Sequence, residues 1–346
     1  MKQLIRSTPA GHLAFALSAS LWLGLAHAQS GPPPSTPAIA AQCLTRTMLA
    51  ASDTATIGEL RAACAAEAAS VAMAAPATAD QANAAPLITR RLAAERDAQN
   101  NLYTITAHRP NYFLLGNYTS SRPSNATFAR GGEHEAQKVE SKFQISLKAL
   151  VLQDAFNGAG DIFLGYTQRS FWQMYNRDAS SPFRETNYEP EAWLRHVVNR
   201  PVLGWNVSTV ALGLNHQSNG RGDATSRSWN RVIGSVAFER GDTGVVLRPW
   251  WRIPESEAKD NNPDIDKYMG NFELTVLRRY GKNAFDLMLR NNLRSDNHGA
   301  VQLGWSYPLT PTLRAYAQLF SGYGESLVDY NVRQTSVGVG LQLLEW

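Results

Sequence analysis

The fold class this sequence predicts is all-β, an antiparallel transmembrane β-barrel of about twelve strands behind a short Ala-rich, partly helical extension. Three observations predict it. From about Leu102 onward, aromatic, Gly and Asn residues recur every few positions, and apolar residues alternate with polar ones. The alternating runs are about ten residues long, the length a tilted strand needs to cross a bilayer. The chain opens on an export signal and ends on an aromatic, Trp346. Composition agrees. Of 346 residues, 44% are apolar and 18% charged, with 9 Trp, 12 Tyr and 12 Phe. A mean hydropathy of -0.30 is too polar for a helical membrane protein. The aromatic-rich C-terminal two thirds does not read as disordered. A net charge of +4 gives no basis for nucleic-acid binding.

The N-terminal elements come first. Lys2 and Arg6 form a basic start, Leu13 to Leu25 an apolar run, and Ala26-His27-Ala28 a small-x-small cleavage pattern. Residues 1–28 therefore read as a signal peptide, too short to span a membrane as a helix. Residues 29–104 read as an Ala/Pro-rich periplasmic extension, with linker-like Gly-Pro-Pro-Pro at 31–34 and Ala-Pro-Ala at 75–77. The Ala-rich stretch around Asp53-Thr54 reads as two short helices carrying Cys43 and Cys64, which can pair in an oxidising compartment. Past Cys64 there is no cysteine, so thiolate chemistry is excluded from the rest. The segment 85–100, with Arg90, Arg91 and Arg96, reads as a polar helix. A spacer, a plug and a partner-binding arm are all open roles for the extension.

Residues 105–346 form the barrel. Strands are expected at 204–218, 228–239, 271–280, 284–293, 300–307, 313–320 and 335–344. In the first, Val210, Leu212 and Leu214 share a parity with His216 and Ser218; in the second, Val232, Val236 and Phe238 share one with Asn230. Near the C-terminus Val337, Val339, Leu341 and Leu343 alternate, but Trp346 falls out of step, which implies a slip or bulge. A soluble sandwich also has one apolar face. The export signal, the aromatic frequency and the terminal Trp favour the membrane.

The chemistry lies on one hairpin, 215–231. His216 and Ser218 are two apart and share a strand face. A Ser hydroxyl needs an adjacent base to become a nucleophile, and that base needs a third group to fix its tautomer. Gly220, Gly222 and Asp223 mark the turn. If the hairpin turns about 223, residue 216 lies opposite 230, and Asn230 becomes the third group. All three polar groups then sit on the apolar side, where polar groups are costly and point to function. A neutral amide suits that wall better than an unpaired carboxylate.

The string HQSNGRGDATSRSWNR closely resembles the active-site hairpin of the outer-membrane phospholipase A family, Gram-negative serine hydrolases built on a twelve-stranded barrel. The resemblance continues in YTQRSFWQ (166–173), SSPFRETNYEP (180–190), NPDIDKYMG (262–270) and FSGYGESLVDYN (320–331), and covers essentially all of 105–346 but not 29–100. It implies a calcium-dependent phospholipase A1/A2 with lysophospholipase activity, located in the outer membrane and active as a homodimer on phospholipid. Ser218 would be the nucleophile, His216 the base, Asn230 the orienting residue and the Gly220 N–H an oxyanion donor beside calcium-bound water. Calcium would be held by the Arg221 carbonyl and the Ser226 hydroxyl, with the Ser180 hydroxyl from a second subunit. Gln168 would lie at the dimer contact and Ser170 near the acyl-chain cleft.

The residues alone leave alternatives open. Arg221 and Asp223 also read as a solvated loop, and Ser180-Ser181-Pro182 as a turn opener. Gln168, Ser170 and Trp172 share a parity that also suits an aromatic-girdle strand end. The acid that often precedes Asn-Pro-Asp in the family is Asn261 here, with Asp260 one place earlier, which bears on any second calcium site involving Asp223. A non-catalytic pore or scaffold barrel is the competing function; it leaves the polar triad on an apolar face unexplained.

Overall fold

The structure is a computed structural model. It describes residues 85–99, 104–121, 135–222 and 224–344, with Thr56, Gly58, Cys64 and Pro123. The expected signal peptide, the Asp53-Thr54 turn, Cys43, Asp223 and Trp346 lie outside the described residues. Cys64 is buried and disulfide-bonded.

The barrel is made of β1 (Ile105–Ala107), β2 (Asn111–Thr119), β3 (Val139–Asp154), β4 (Gly160–Trp172), β5 (Phe183–Val202), β6 (Trp205–Ser218), β7 (Ser228–Arg240), β8 (Thr243–Ile253), β9 (Phe272–Tyr280), β10 (Asn283–Asn291), β11 (Gly299–Pro308), β12 (Arg314–Gly322) and β13 (Gln334–Leu344). Each strand from β2 to β13 pairs antiparallel with the next, and β13 returns to β2 and closes the wall. β1 extends the line of β2 along β3, so the closed sheet has twelve staves, as expected. The β13–β2 ladder shifts register between Val339 and Gly340 and again between Gln342 and Leu344, where the sequence loses its phase.

The two faces are inverted relative to a soluble protein. On β6, Leu212 and Leu214 are each 60% exposed, while Asn215 between the outward positions is 3% exposed. Trp251 is 67% exposed and Arg231 only 5%. Apolar side chains facing out and charged ones facing in is the pattern of a barrel in lipid. The buried charges are paired, which is the condition for keeping them there. Arg109 bridges Glu189 at 2.9 Å and Glu191 at 2.8 Å, and Arg231 and Arg248 reach the same two carboxylates at 3.0 and 2.5 Å. Nearer the other rim, Arg184 sits between Glu140 at 2.8 Å and Asp329 at 2.9 Å.

The turns at 203–204, 241–242 and 281–282 are tight, while the loops at the opposite end, such as 173–182, 219–227 and 254–271, are longer. Short turns face the periplasm in such barrels and long loops the outside. Helix α1 (Leu87–Gln99) enters at the short-turn end, where the Leu87 N–H donates to Gly241 O at 3.0 Å. Its first turn carries no acid of its own. The barrel supplies one: Glu239 Oε2 accepts the N–H groups of Ile88 at 2.7 Å and Thr89 at 2.9 Å, a cap borrowed across the fold. Leu87, Ile88 and Leu92 pack on Ala237, Val246 and Leu277 of the inner wall. One turn deeper, Glu95 binds Lys148 at 2.7 Å and Arg195 at 2.8 Å. The polar helix expected from the sequence is therefore docked within the lumen.

Candidate active site

The β6–β7 hairpin sets the site. Its register pairs Ser218 with Ser228, Gln217 with Trp229 and His216 with Asn230. His216 thus lies opposite Asn230, the pairing expected for a hairpin that turns about 223. Because outward Leu212 and Leu214 precede them in phase, His216 and Ser218 belong to the outer wall, whereas Asn215 and Gln217 turn inward to Arg231 and Trp229. His216 Nδ1 and Asn230 Oδ1 are 2.8 Å apart. Asn230 Nδ2 donates in turn to Glu255 Oε1 at 3.1 Å. The Ser218 hydroxyl makes no hydrogen bond to His216; such bonds often tighten only with substrate.

Gly220 follows at φ +66°, and a Cβ there would stand 3.0 Å from Tyr188 Cε2. The positive φ favours glycine, and a Cβ would crowd the Tyr188 ring. Gly220 is exposed, and its N–H donates to no group among the described residues. Asn219, buried beneath it, stitches the loop shut. Its side chain donates to Thr225 O at 2.8 Å and accepts from the Arg227 N–H at 2.9 Å. The Arg221 side chain is drawn away to Arg184 O at 2.7 Å and Glu185 at 3.3 Å. The Ser226 hydroxyl accepts from Asn261 Nδ2 at 3.0 Å.

Not every expected site residue joins this hairpin. Ser180 lies in the β4–β5 loop at φ +59°, exposed, and shares no hydrogen bond with residues 219–227 among the described residues. Gln168 Nε2 donates to Ser170 Oγ at 3.1 Å, and Ser170 is fully covered, bonded also to Thr186 at 3.2 Å. Yet the register draws one line across the outer wall, Gln168 beside Tyr188, Tyr188 beside Ser218 and Ser218 beside Ser228. At about 4.8 Å per strand, Gln168 lies roughly 10 Å from Ser218. Asp260 is engaged by Arg252 at 2.6 Å, so its carboxylate is already neutralised. Among the described residues no cluster of three His, Cys, Asp or Glu side chains could hold a metal. Arg221 and Ser226 could offer only a carbonyl and a hydroxyl, neutral oxygens of the kind calcium accepts.

Sequence reasoning missed two neighbours of the site. Tyr188 packs against Gly220 and adjoins Ser218, and Glu255 holds Asn230. The parity Trp251, Ile253, Glu255 was the available signal for the second.

The chain is similar to known proteins. The family model for phospholipase A1 matches residues 88–343. Phospholipase A1 of Escherichia coli K12 is 40% identical over 244 residues, covering 70% of this chain and 83% of that protein. The Proteus vulgaris protein is 37% identical over 268 residues, covering 77% and 91%. Among solved structures, an active-site mutant of E. coli outer membrane phospholipase A superposes with a TM-score of 0.66 at 38% identity, covering 71% of this chain and 94% of that one. The Salmonella typhi outer membrane phospholipase dimer with bound calcium matches with the same score, identity and coverage. With its closed twelve-stranded wall turned apolar side out, the chain belongs to the phospholipase A1 family of outer-membrane β-barrel phospholipases.

Proposed function

We propose that this phospholipase cleaves the acyl ester bonds of phospholipids and lysophospholipids at both sn-positions, through an acyl enzyme on Ser218. The observation that carries this reading is the 2.8 Å bond between His216 and Asn230, on the outer wall and in phase with Ser218. An Asn230 carbonyl accepting from Nδ1 leaves Nε2 unprotonated and able to take the serine proton. Ser218 Oγ then attacks the ester carbonyl, and the Gly220 N–H donates to the oxygen that becomes negative. His216 returns its proton to the departing lysophospholipid oxygen, and water repeats the sequence to free the fatty acid. The substrate needs no channel, since its acyl chains already lie against Leu212 and Leu214.

Calcium, when bound, would add positive charge next to the developing oxyanion. The Arg221 carbonyl and Ser226 hydroxyl would hold it, with the Ser180 hydroxyl supplied by a second copy. Two neutral oxygens from one chain are too few for calcium, which takes six to eight ligands, roughly. That shortfall and the calcium-bound dimer of the Salmonella typhi relative support a site completed by homodimerisation, with Gln168 at the contact and Ser170 at the acyl cleft. We also propose residues 1–28 as a signal peptide, 29–104 as an extension whose α1 docks inside the barrel, and 105–346 as the phospholipase barrel. A pore is less well supported, because ion pairs and α1 occupy the lumen.

Fatty-acid release from phospholipid micelles tests the reading. Ser218→Ala should fold and be inactive; native-level release by that variant would remove the assignment.

A further inference from the structure

One acidic side chain beside the site has no role in this mechanism. β8 sends Trp251 and Ile253 to the outer wall, and Pro254, with no N–H to donate, ends the strand. Glu255 follows on the same parity. Ile253 is the register partner of Asn230, so Glu255 stands on its diagonal, about 7–8 Å between backbones and within reach of a long side chain. It shares an outer groove with His216, Asn230 and Leu214. No cation pairs with it among the described residues. An unpaired carboxylate at the edge of an apolar wall is costly, and this one spends its hydrogen bond on the Asn230 amide.

We propose that Glu255 is a positioning residue that dictates which way round the Asn230 carboxamide sits, and through it the tautomer of His216. The proposal rests on the Ser218–His216–Asn230 reading. A carboxamide is nearly symmetric in shape, and its partners choose its orientation. An ionised carboxylate can only accept. Glu255 therefore takes the NH2 end and turns the oxygen to His216, whose Nδ1 must then carry the proton. Flipped, the amide would donate to Nδ1, and the proton would move to Nε2. That imidazole cannot accept from Ser218. An Asp in the third position needs no such guide; an Asn does.

The test compares Glu255→Gln, Glu255→Ala and Glu255→Asp with the native enzyme, and repeats Glu255→Gln in an Asn230→Ala background. All are full-length proteins in detergent on phospholipid micelles at saturating calcium, with circular dichroism to confirm each barrel. Gln can donate as well as accept, so it loosens the choice of orientation. We expect Glu255→Gln and Glu255→Ala to lower kcat about tenfold at unchanged KM, Glu255→Asp to recover part of it, and Glu255→Gln to have no effect once Asn230 is gone. An unchanged kcat in Glu255→Gln, or the same loss in the Asn230→Ala background, would overturn the proposal. If Asn230→Ala alone is fully active, the triad reading fails and takes this one with it. If Asn230→Ala is impaired and Glu255→Gln is not, only the role of Glu255 fails.

Discussion

His216 Nδ1 and Asn230 Oδ1 meet at 2.8 Å across two neighbouring strands, on the face of the barrel that carries Leu212 and Leu214 into lipid. A closed sheet normally keeps its polar groups inside. Here the exception stands where, on the proposed function, a phospholipid ester would arrive by lateral diffusion.

Removing the imidazole should cost more than removing the amide. His216→Ala would delete the proposed general base, with an expected loss of at least about a hundredfold in kcat. Asn230→Ala leaves a base that can still find the right tautomer part of the time, and should retain more activity. Steady-state kinetics on micellar substrate checks the order; a more severe loss in Asn230→Ala would contradict it.

Gly220 is held by two constraints at once. Its φ of +66° costs a side-chain-bearing residue roughly 1–2 kcal/mol, and a Cβ would press on Tyr188. Gly220→Ala should therefore shift the loop and displace the N–H from the oxyanion. We expect kcat to fall by at least about tenfold with little change in KM. Native kcat would show that this N–H is not the donor.

Chelation should suppress hydrolysis while the barrel keeps its circular dichroism, because no calcium oxygen proposed here belongs to the sheet ladder. Ser226→Ala should raise the calcium concentration needed for half-maximal rate by about fivefold or more. Specific activity should also rise with the ratio of protein to detergent, as a site shared by two copies requires. Insensitivity to chelator, or a flat response to dilution, would count against these assignments.

The lumen helix gives a separate prediction. Burial by itself would raise the Glu95 pKa, but Lys148 and Arg91 override it and hold the carboxyl well below the usual carboxylate range. A carboxylate lowered in this way contributes docking stability above its ordinary pKa and loses it only as pH falls through the lowered value. The helix should thus stay seated at about pH 5 and loosen only in stronger acid. Glu239→Ala combined with Glu95→Gln removes its cap and its anchor. Planar-bilayer recordings should show low conductance for the native protein and larger, more frequent openings for the double variant. Equal conductance would mean the helix does not seal the barrel.

Much of the fold was legible because alternation is a direct image of the pleat. The strands expected at 204–218 and 228–239 form as β6 and β7 within a residue or so, and the His216–Asn230 pairing matches the one expected if the hairpin turned about 223. The docking of α1 was not legible. Its sequence shows a polar helix, and nothing local in it names Glu239, which lies about 150 residues away. Glu255 was hidden for a similar reason. β8 was not anticipated, so the parity linking Trp251 to Glu255 had no strand to belong to. The calcium oxygens proposed on Arg221 and Ser226 could be reached only through resemblance, since a carbonyl and a hydroxyl leave no signature in composition.

The most direct measurement is covalent labelling of the detergent-purified protein with a fluorophosphonate, followed by mass mapping of the modified peptide. The account predicts a single adduct on Ser218, formed in the native protein, slowed by His216→Ala and absent from Ser218→Ala. An adduct on another serine, or no adduct on a preparation that actively releases fatty acid, would contradict it.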